Sequence, residues 1–441
     1  MKPDEQKTIA LTTLGCKVNQ CDSAALQDML ENAGFHFVSF GQRADIYIIN
    51  TCVVTARTEA QSRQLIRRAL RANAGARVLV TGCYVQKDPE VVFALDQRVH
   101  IIGNAEKKDI SAYVDRLLTS AESSVKDVSS IAAETQFSTP AFSHFPERTR
   151  AFLKIQDGCN SRCSYCIVPS VRGPSRSLPM PEVHARLKRL AVNGYREVVL
   201  TGIHLGSWGR DLSPKRSLVE LLQLFARDAD CAGMRIRISS VEPQEVTGEL
   251  SAAILELTCI CPHLHIPLQS GDPEILRAMR RPYDPVFFSS LIQELAQTIP
   301  GLSIGVDVIA GFPGETESRF ENTRALLAGL PISYLHVFPY SRREGTPAAQ
   351  FSDQVPEQNK KERVRALRSL SDEKKQAFFK NYAGKKLSVL FEGKRDKKTG
   401  LLRGIAENYI PVLCAGPDEL IGTIADVVVE TIDQTTVYGK L

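Results

Sequence analysis

Gly158-Cys159-Asn160-Ser161-Arg162-Cys163-Ser164-Tyr165-Cys166 lies near the middle of a 441-residue chain, directly after the run Ala151 to Gln156. The run reads as a strand that delivers the chain into a loop with cysteines at C-x3-C-x2-C spacing. Three thiolates so spaced can close on three irons of a 4Fe-4S cube and leave the fourth without a protein ligand. An open corner of that kind suits a small molecule. Zinc is the weaker reading, because zinc spacings add a second ligand pair and no Cys or His follows before His184 and His204. Three core cysteines brought together by chance is the weakest.

Working outward toward the C-terminus, strand and helix signals alternate. Strands are expected at Glu197 to Thr201, Met234 to Ser239, Leu264 to Pro267, Ser303 to Ile309 and Tyr334 to Phe338. With Ala151 to Gln156 they make six parallel strands, a TIM-type (β/α)6 barrel lacking two units and open at the side. The cysteine loop follows the first strand, on the face where such barrels work. Pro356 to Tyr382 is a charged helical stretch. Beyond it, β-rich segments at Lys385 to Phe391, Leu401 to Glu407, Ile410 to Cys414, Leu420 to Glu430 and Thr435 to Tyr438 predict a small antiparallel barrel. Its hairpin Lys394-Arg395-Asp396-Lys397-Lys398 offers Lys394 and Arg395 to RNA phosphate, although such charge runs are often only solvated turns.

Toward the N-terminus, three short strands each stop at a cysteine. Ile9 to Leu14 ends at Gly15-Cys16, Asp45 to Asn50 at Thr51-Cys52, and Arg77 to Thr81 at Gly82-Cys83. Helical patterns between them predict a doubly wound parallel α/β sheet, in which ligands gather at the carboxyl ends of strands. Cys16, Cys52 and Cys83 would then converge although more than thirty residues separate each from the next. A buried cysteine is ordinary singly, less so in threes. Cys21, about one helical turn past Cys16, could compete for the first ligand role. Cys16 is preferred because it stands at the strand end in the tight Gly15 turn. On the helical stretch Glu59 to Ala74, after Cys52, Arg63, Arg67 and Arg71 recur at i, i+4 and i+8, a basic stripe suited to phosphate.

Four segments are expected: residues 1–118, a linker over 119–147, a core over 148–375 and a barrel over 376–441. Net charge is only +5, so a nucleic-acid reading rests on local patches. No window approaches the ~20 apolar residues of a membrane span, and the start lacks a signal-peptide core. A cytoplasmic protein is expected, whose eleven cysteines stay reduced, with those that cluster serving metal rather than disulfides.

Further stretches complete a pattern: Thr201-Gly202-Ile203-His204-Leu205-Gly206, Arg237-Ile238-Ser239-Ser240-Val241-Glu242-Pro243, His263-Leu264-His265-Ile266-Pro267-Leu268-Gln269-Ser270-Gly271 and Gly311-Phe312-Pro313-Gly314-Glu315-Thr316. With the two cysteine sets, the chain resembles the radical S-adenosylmethionine methylthiotransferase family from end to end. The resemblance implies a methylthiotransferase domain, a radical core and a C-terminal RNA-binding barrel of the TRAM type. Thr13-Leu14-Gly15-Cys16-Lys17-Val18-Asn19-Gln20 is similar to the branch acting on N6-threonylcarbamoyladenosine beside the tRNA anticodon, although Cys21 stands where that branch has an aromatic. The isopentenyladenosine branch tends to show an aromatic before this Gly and Gln-Met after the Cys. The branch that modifies a ribosomal-protein aspartate tends to show Pro-Lys. Both remain alternatives, as does a non-catalytic iron-sulfur RNA sensor.

An adenine C2 hydrogen is too weakly acidic for side-chain bases tuned near ~7. In the mechanism the resemblance implies, a cluster on Cys159, Cys163 and Cys166 binds S-adenosylmethionine and cleaves it to a 5′-deoxyadenosyl radical. A second 4Fe-4S cluster, on Cys16, Cys52 and Cys83, presents sulfur at its own open corner. Tyr165 is expected near the cofactor adenine, with Gly202 and Gly206 allowing close backbone approach. Ser239, Glu242 and Gln269, at or past strand ends, join the cofactor-binding set, and Asp307 and Glu315 are comparable polar residues. The implied partners are tRNA and an electron donor such as flavodoxin or ferredoxin, with the protein a monomer and no membrane involved.

Overall fold

A strand packed on both faces reads as an unbroken apolar run, and the segments Ile46–Thr51 and Arg77–Gly82 are of this kind. In the computed structural model, which describes residues 7–119, 124–145 and 148–441, they are central strands of a six-stranded parallel sheet. The sheet comprises β1 (Thr8–Thr13), β2 (His36–Val38), β3 (Ile46–Thr51), β4 (Arg77–Gly82), β5 (Val99–Ile102) and β6 (Lys126–Asp127), in the order β2-β1-β3-β4-β5-β6. Its helices are α1 (Lys17–Asn32), α2 (Ala56–Ala72), α3 (Cys83–Lys87), α4 (Pro89–Phe93) and α5 (Ile110–Thr119). One face is covered by Leu26 and Leu30 of α1 and Val114 and Leu117 of α5, the other by Ile66 and Ala69 of α2. Each such fully buried leucine contributes about 1.5–3 kcal/mol. Strand order reverses between β1 and β3, which opens the crevice where doubly wound sheets bind ligands. Three strands were expected here and six are found. The last of them, β6, lies in the stretch read as a linker, so 124–127 extends the sheet.

The helix α1 is apolar on two sides. Leu26 and Leu30 face its own sheet, while Cys21, Ala24 and Ala25, at helical spacing, join Phe142, Phe145 and Phe152 in the core of the next unit. That unit holds β7 (Ala151–Lys154), a two-residue pair β8 (Gln156–Asp157) with β9 (Arg176–Ser177), then β10 (Glu197–Thr201), β11 (Arg235–Ile238), β12 (His263–His265), β13 (Ser303–Ala310) and β14 (Tyr334–Pro339). Parallel pairings run β7-β10-β11 and β12-β13-β14, and single bridges from Ile236 to Ile260 and Ser240 to His265 join the two halves. This is the six-stranded open barrel the sequence leads one to expect. Between β8 and β9 lies the one-turn helix α6 (Val168–Arg172).

The helix Glu357–Lys380 leads into a closed five-stranded barrel of β15 (Lys386–Phe391), β16 (Leu402–Ala406), β17 (Pro411–Cys414), β18 (Ile424–Asp433) and β19 (Thr436–Lys440). An all-antiparallel barrel was expected; β17 and β19 close it in parallel. Arg235 and Arg237 of β11 bind this barrel to the core, donating to the carbonyls of Ser388, Ile405, Ala406 and Glu407 at 2.8–3.1 Å. Both guanidiniums also clasp Glu197, at 2.7 and 2.8 Å. Burial pushes the Glu197 carboxyl up, but Arg237, Arg235 and Arg150 outweigh it and hold it down to about 2. Tyr409, at the turn after β16, lies over Arg237 and packs on His263 with ring centroids 4.4 Å apart. Among the described residues, no helix is long and apolar enough to cross a membrane.

Candidate metal centres

All three dispersed cysteines stand where a strand hands over to a helix. Cys16 caps α1, Cys83 opens α3, and Cys52 follows β3 just before Thr55 caps α2. Helix N-termini favour thiolate over thiol. Gly15 is fixed by packing: with φ at +100°, a Cβ there would stand 2.7 Å from the Cys52 sulfur. Cys16 and Cys52 both sense the neighbouring Cys83. Burial raises Cys16, with Cys83 adding to it, and raises Cys52 to about 11, with Cys83 and Cys16 adding to it. Thiols that resist ionising without a cation, and that repel one another when ionised, fit a metal cluster. Cys21 is fully buried, and its sulfur donates to the Phe152 carbonyl at 3.2 Å. Its proton is committed there, which favours Cys16 as the ligand.

In the core, Cys159, Cys163 and Cys166 form the second set. Burial raises Cys166 to about 12, and Cys163 and Cys159 add to the rise. Each of the other two has a cationic or N–H neighbour. Cys159 lies 3.6 Å from His204 Nδ1 and accepts the Ser161 N–H at 3.4 Å, and these outweigh its burial and lower the thiol. Burial lowers His204, but Cys159 and Glu245, 3.0 Å from its Nε2, overcome this and raise it to about 10. Arg281 donates to the Cys163 sulfur at 3.3 Å and pairs with Glu242. Neither triad closes its three sulfurs within 4.8 Å, the spacing of donors around one ion. Both are therefore better fitted to a cluster with several irons than to zinc.

A single short element joins the two sets. Six residues after Cys166, Arg172 ends α6, and its Nε donates to the Cys83 sulfur at 3.3 Å. The one-turn helix α6 thus runs from just after one cysteine set to a residue in contact with the other. Arg172 is 2% exposed and also binds Asn19, Asp22 at 2.9 Å and Asp157 at 3.2 Å. Asp22 is shared with Lys107 at 2.9 Å and Lys154 at 2.8 Å. This buried network ties α1, α6 and β7 together. Sequence reading missed it, and also missed Arg281 and the pair His204 and Glu245. Asp157, just before the cysteine loop, and Arg172, just after it, were its only local signals. Cys16 and Lys17 are reachable by water yet walled in by protein. Burial raises the Cys16 thiol and lowers the Lys17 ammonium, as residues lining a recess would show.

The other expected residues divide. Tyr165 packs edge-on to Phe312 at 6.5 Å. Glu242 reaches Arg281, and Ser239 is buried at the end of β11. Gln269, with φ at +72°, is bridged to β13. The close approaches of Gly202 and Gly206 are to protein: added Cβ atoms would stand 2.8 Å from Gln156 Oε1 and 2.1 Å from Glu245 Oε2. On α2, Arg67 and Arg71 are exposed, whereas Arg63 donates to Tyr84 Oη at 2.8 Å and leaves the stripe. Arg395 binds Asp418 and the carbonyls of Gly400 and Gly416, so it pins its turn. Lys394 lines a groove of about 1240 Å³ where all three units meet, beside Arg148, Arg403, Phe37 and Phe40.

Residues 8–103 match the family described as Uncharacterized protein family UPF0004, and residues 153–327 match the Radical SAM superfamily. Among solved structures, the radical S-adenosylmethionine methyltransferase TsrM of Kitasatospora setae shares the fold, with a TM-score of 0.57 over 78% of this chain and 77% of its own, at 15% identity. The threonylcarbamoyladenosine tRNA methylthiotransferases MtaB of Bacillus subtilis (strain 168) and Aquifex aeolicus (strain VF5) are 39% and 36% identical, over 95% and 93% of this chain and 93% and 98% of their own. The tRNA-2-methylthio-N(6)-dimethylallyladenosine synthase of Desulfitobacterium hafniense (strain Y51) is 32% identical over 98% of this chain and 97% of its own. Related at this level along nearly its whole length, the chain belongs to the radical S-adenosylmethionine methylthiotransferase family of enzymes.

Proposed function

We propose that this protein adds a methylthio group to C2 of the adenine in N6-threonylcarbamoyladenosine, beside the tRNA anticodon. The observation that carries the reading is α6, which starts two residues after Cys166 and ends on Arg172, whose guanidinium donates to the Cys83 sulfur of the other cysteine set. Relatives named for this nucleoside are 34–39% identical, and those named for dimethylallyladenosine are 32% identical. S-adenosylmethionine and the clusters, when bound, supply one-electron cleavage of a sulfonium, hydrogen abstraction and a site for sulfur.

The chain's own residues hold and shield these groups. Cys159, Cys163 and Cys166 would hold one cluster, and Cys16, Cys52 and Cys83 the other. Cationic at neutral pH, His204 stabilises the Cys159 thiolate, and Glu245 keeps its ring in place. Arg281 donates to the Cys163 sulfur, with Glu242 as its anchor. Arg172 places a buried positive charge at Cys83. Of the residues expected around S-adenosylmethionine, we assign Tyr165, Ser239, Glu242 and Gln269 to its side of the core, while Gly202 and Gly206 serve packing against Gln156 and Glu245. We place the enzyme in the cytoplasm, a monomer reduced by a flavodoxin or ferredoxin.

Incubating tRNA with the reconstituted enzyme, reductant and S-adenosylmethionine should yield methylthio-threonylcarbamoyladenosine by nucleoside mass spectrometry. Methylthio-isopentenyladenosine in its place would transfer the assignment to the other branch, and an unmodified tRNA would sink both. For binding, we assign tRNA to the exposed Arg67 and Arg71 and to the groove holding Lys394, whose lining includes both cations and aromatic rings, the pairing single-stranded RNA favours. Replacing Arg67 and Arg71 with alanine should weaken tRNA binding and reduce the slope of log K against log salt by about 2. Equal affinity and slope would exclude this face.

A further inference from the structure

Outside both cysteine sets, one further group of donors converges inside the core barrel. In the ladder, His265 of β12 lies against Gly305 of β13, and Asp307 of β13 lies against His336 of β14. Gly305 and Asp307 are two apart, so all three side chains project from one face. A nitrogen of each imidazole and an oxygen of Asp307 lie within 4.8 Å of one another, the only such trio of His, Cys, Asp or Glu among the described residues. His265 Nε2 is 3.2 Å and His336 Nδ1 3.5 Å from the same oxygen, Asp307 Oδ1.

Proximity alone would suggest ion pairs. His265, however, is only 8% exposed, and both its Nε2 and Asp307 Oδ1 are sealed from water without a hydrogen-bond partner. Two buried polar atoms this close yet misaligned for a hydrogen bond are each left costly unless a third party satisfies both. The other ring nitrogen of His265 lies 2.6 Å from Ser240 Oγ, the outer contact that orients a ligating imidazole and leaves Nε2 to the metal. The Tyr334 ring stacks on His265, 4° from parallel, and holds it further. Burial raises the Asp307 carboxyl, but the two imidazoles outweigh it and keep it ionised. Burial lowers the Lys17 ammonium, which also senses the Asp307 charge, and the charge of Arg237 is met by Glu197.

We propose that His265, Asp307 and His336 form a binding site for a divalent transition-metal ion, distinct from both clusters. Two imidazoles and one carboxylate are the donor set of zinc and of iron(II), and three protein ligands leave coordination positions open. Holoenzyme carrying both clusters, equilibrated without oxygen with zinc and then desalted, should retain about one zinc per chain beyond its iron. X-ray absorption at the zinc edge should find nitrogen and oxygen donors at about 2.0–2.2 Å and no sulfur at about 2.3 Å. Asp307→Asn and His336→Gln should each lose the zinc and keep the iron. His336 is half exposed, so its replacement leaves the core intact. No retained zinc, zinc bound by sulfur, or zinc content unchanged in both variants would overturn the site.

Discussion

Replacing Cys16, Cys52 and Cys83 together with alanine should lower bound iron from roughly eight to about four per chain. It should also abolish the methylthio nucleoside while S-adenosylmethionine is still cleaved to 5′-deoxyadenosine. The split is expected because the triads belong to different units. Cys159, Cys163 and Cys166 keep His204, Ser161 and Arg281, none of which touches the N-terminal sheet cysteines. What disappears is the donor set at the β1/β3 crevice. The converse substitution, Cys163→Ala, should stop 5′-deoxyadenosine formation as well as product. Iron content and both products, measured on the same samples, decide it. Full iron, or persistent methylthiolation, in the N-terminal triple variant would remove these cysteines from the reaction.

Asp22→Asn should destabilise the protein by about 3–5 kcal/mol at neutral pH, the cost of breaking a buried charge network from one side. Asp22 is 4% exposed and answers Lys107, Lys154 and Arg172 at once. An amide would leave Lys107 without a carboxylate partner and Lys154 and Arg172 sharing Asp157. Burial raises the Asp22 carboxyl, but the three cations outweigh it and hold it well below the ordinary value. A depressed folded pKa gives stability that is complete above the unfolded value of about 3.9 and is lost as pH falls through the folded one. The gap between wild type and variant should therefore be constant near neutrality and narrow below about pH 4. Thermal midpoints across pH measure it. Equal midpoints at pH 7, or a gap that widens in acid, would contradict the network's role.

Much of this was legible in the chain because its signals are local. The C-x3-C-x2-C spacing, the three strands stopping at Cys16, Cys52 and Cys83, and the six core strands lie in short windows where apolar runs and turns speak for themselves. Pairing partners do not. Arg172 lies 150 residues from Asp22 and 89 from Cys83, and no window contains both. Lys126 and Asp127, two exposed polar residues, give no apolar signal for the strand they form. Alternation in β17 and β19 marks a half-buried strand but carries no direction, so their parallel closure could not be read. Arg63 and Arg395 counted as free charge because the sequence shows a cation and not the Tyr84 hydroxyl or the carbonyls that occupy it.

The joint between core and C-terminal barrel has a consequence for how the barrel can move. Arg235 and Arg237 are locked at one end by Glu197 and at the other by barrel carbonyls, and Tyr409 is wedged against His263. The barrel is therefore no swinging arm. Whatever rests on it meets the cysteines at one offset and one angle, so the joint works as a ruler. The groove that holds Lys394 is thereby kept in a fixed position relative to the core.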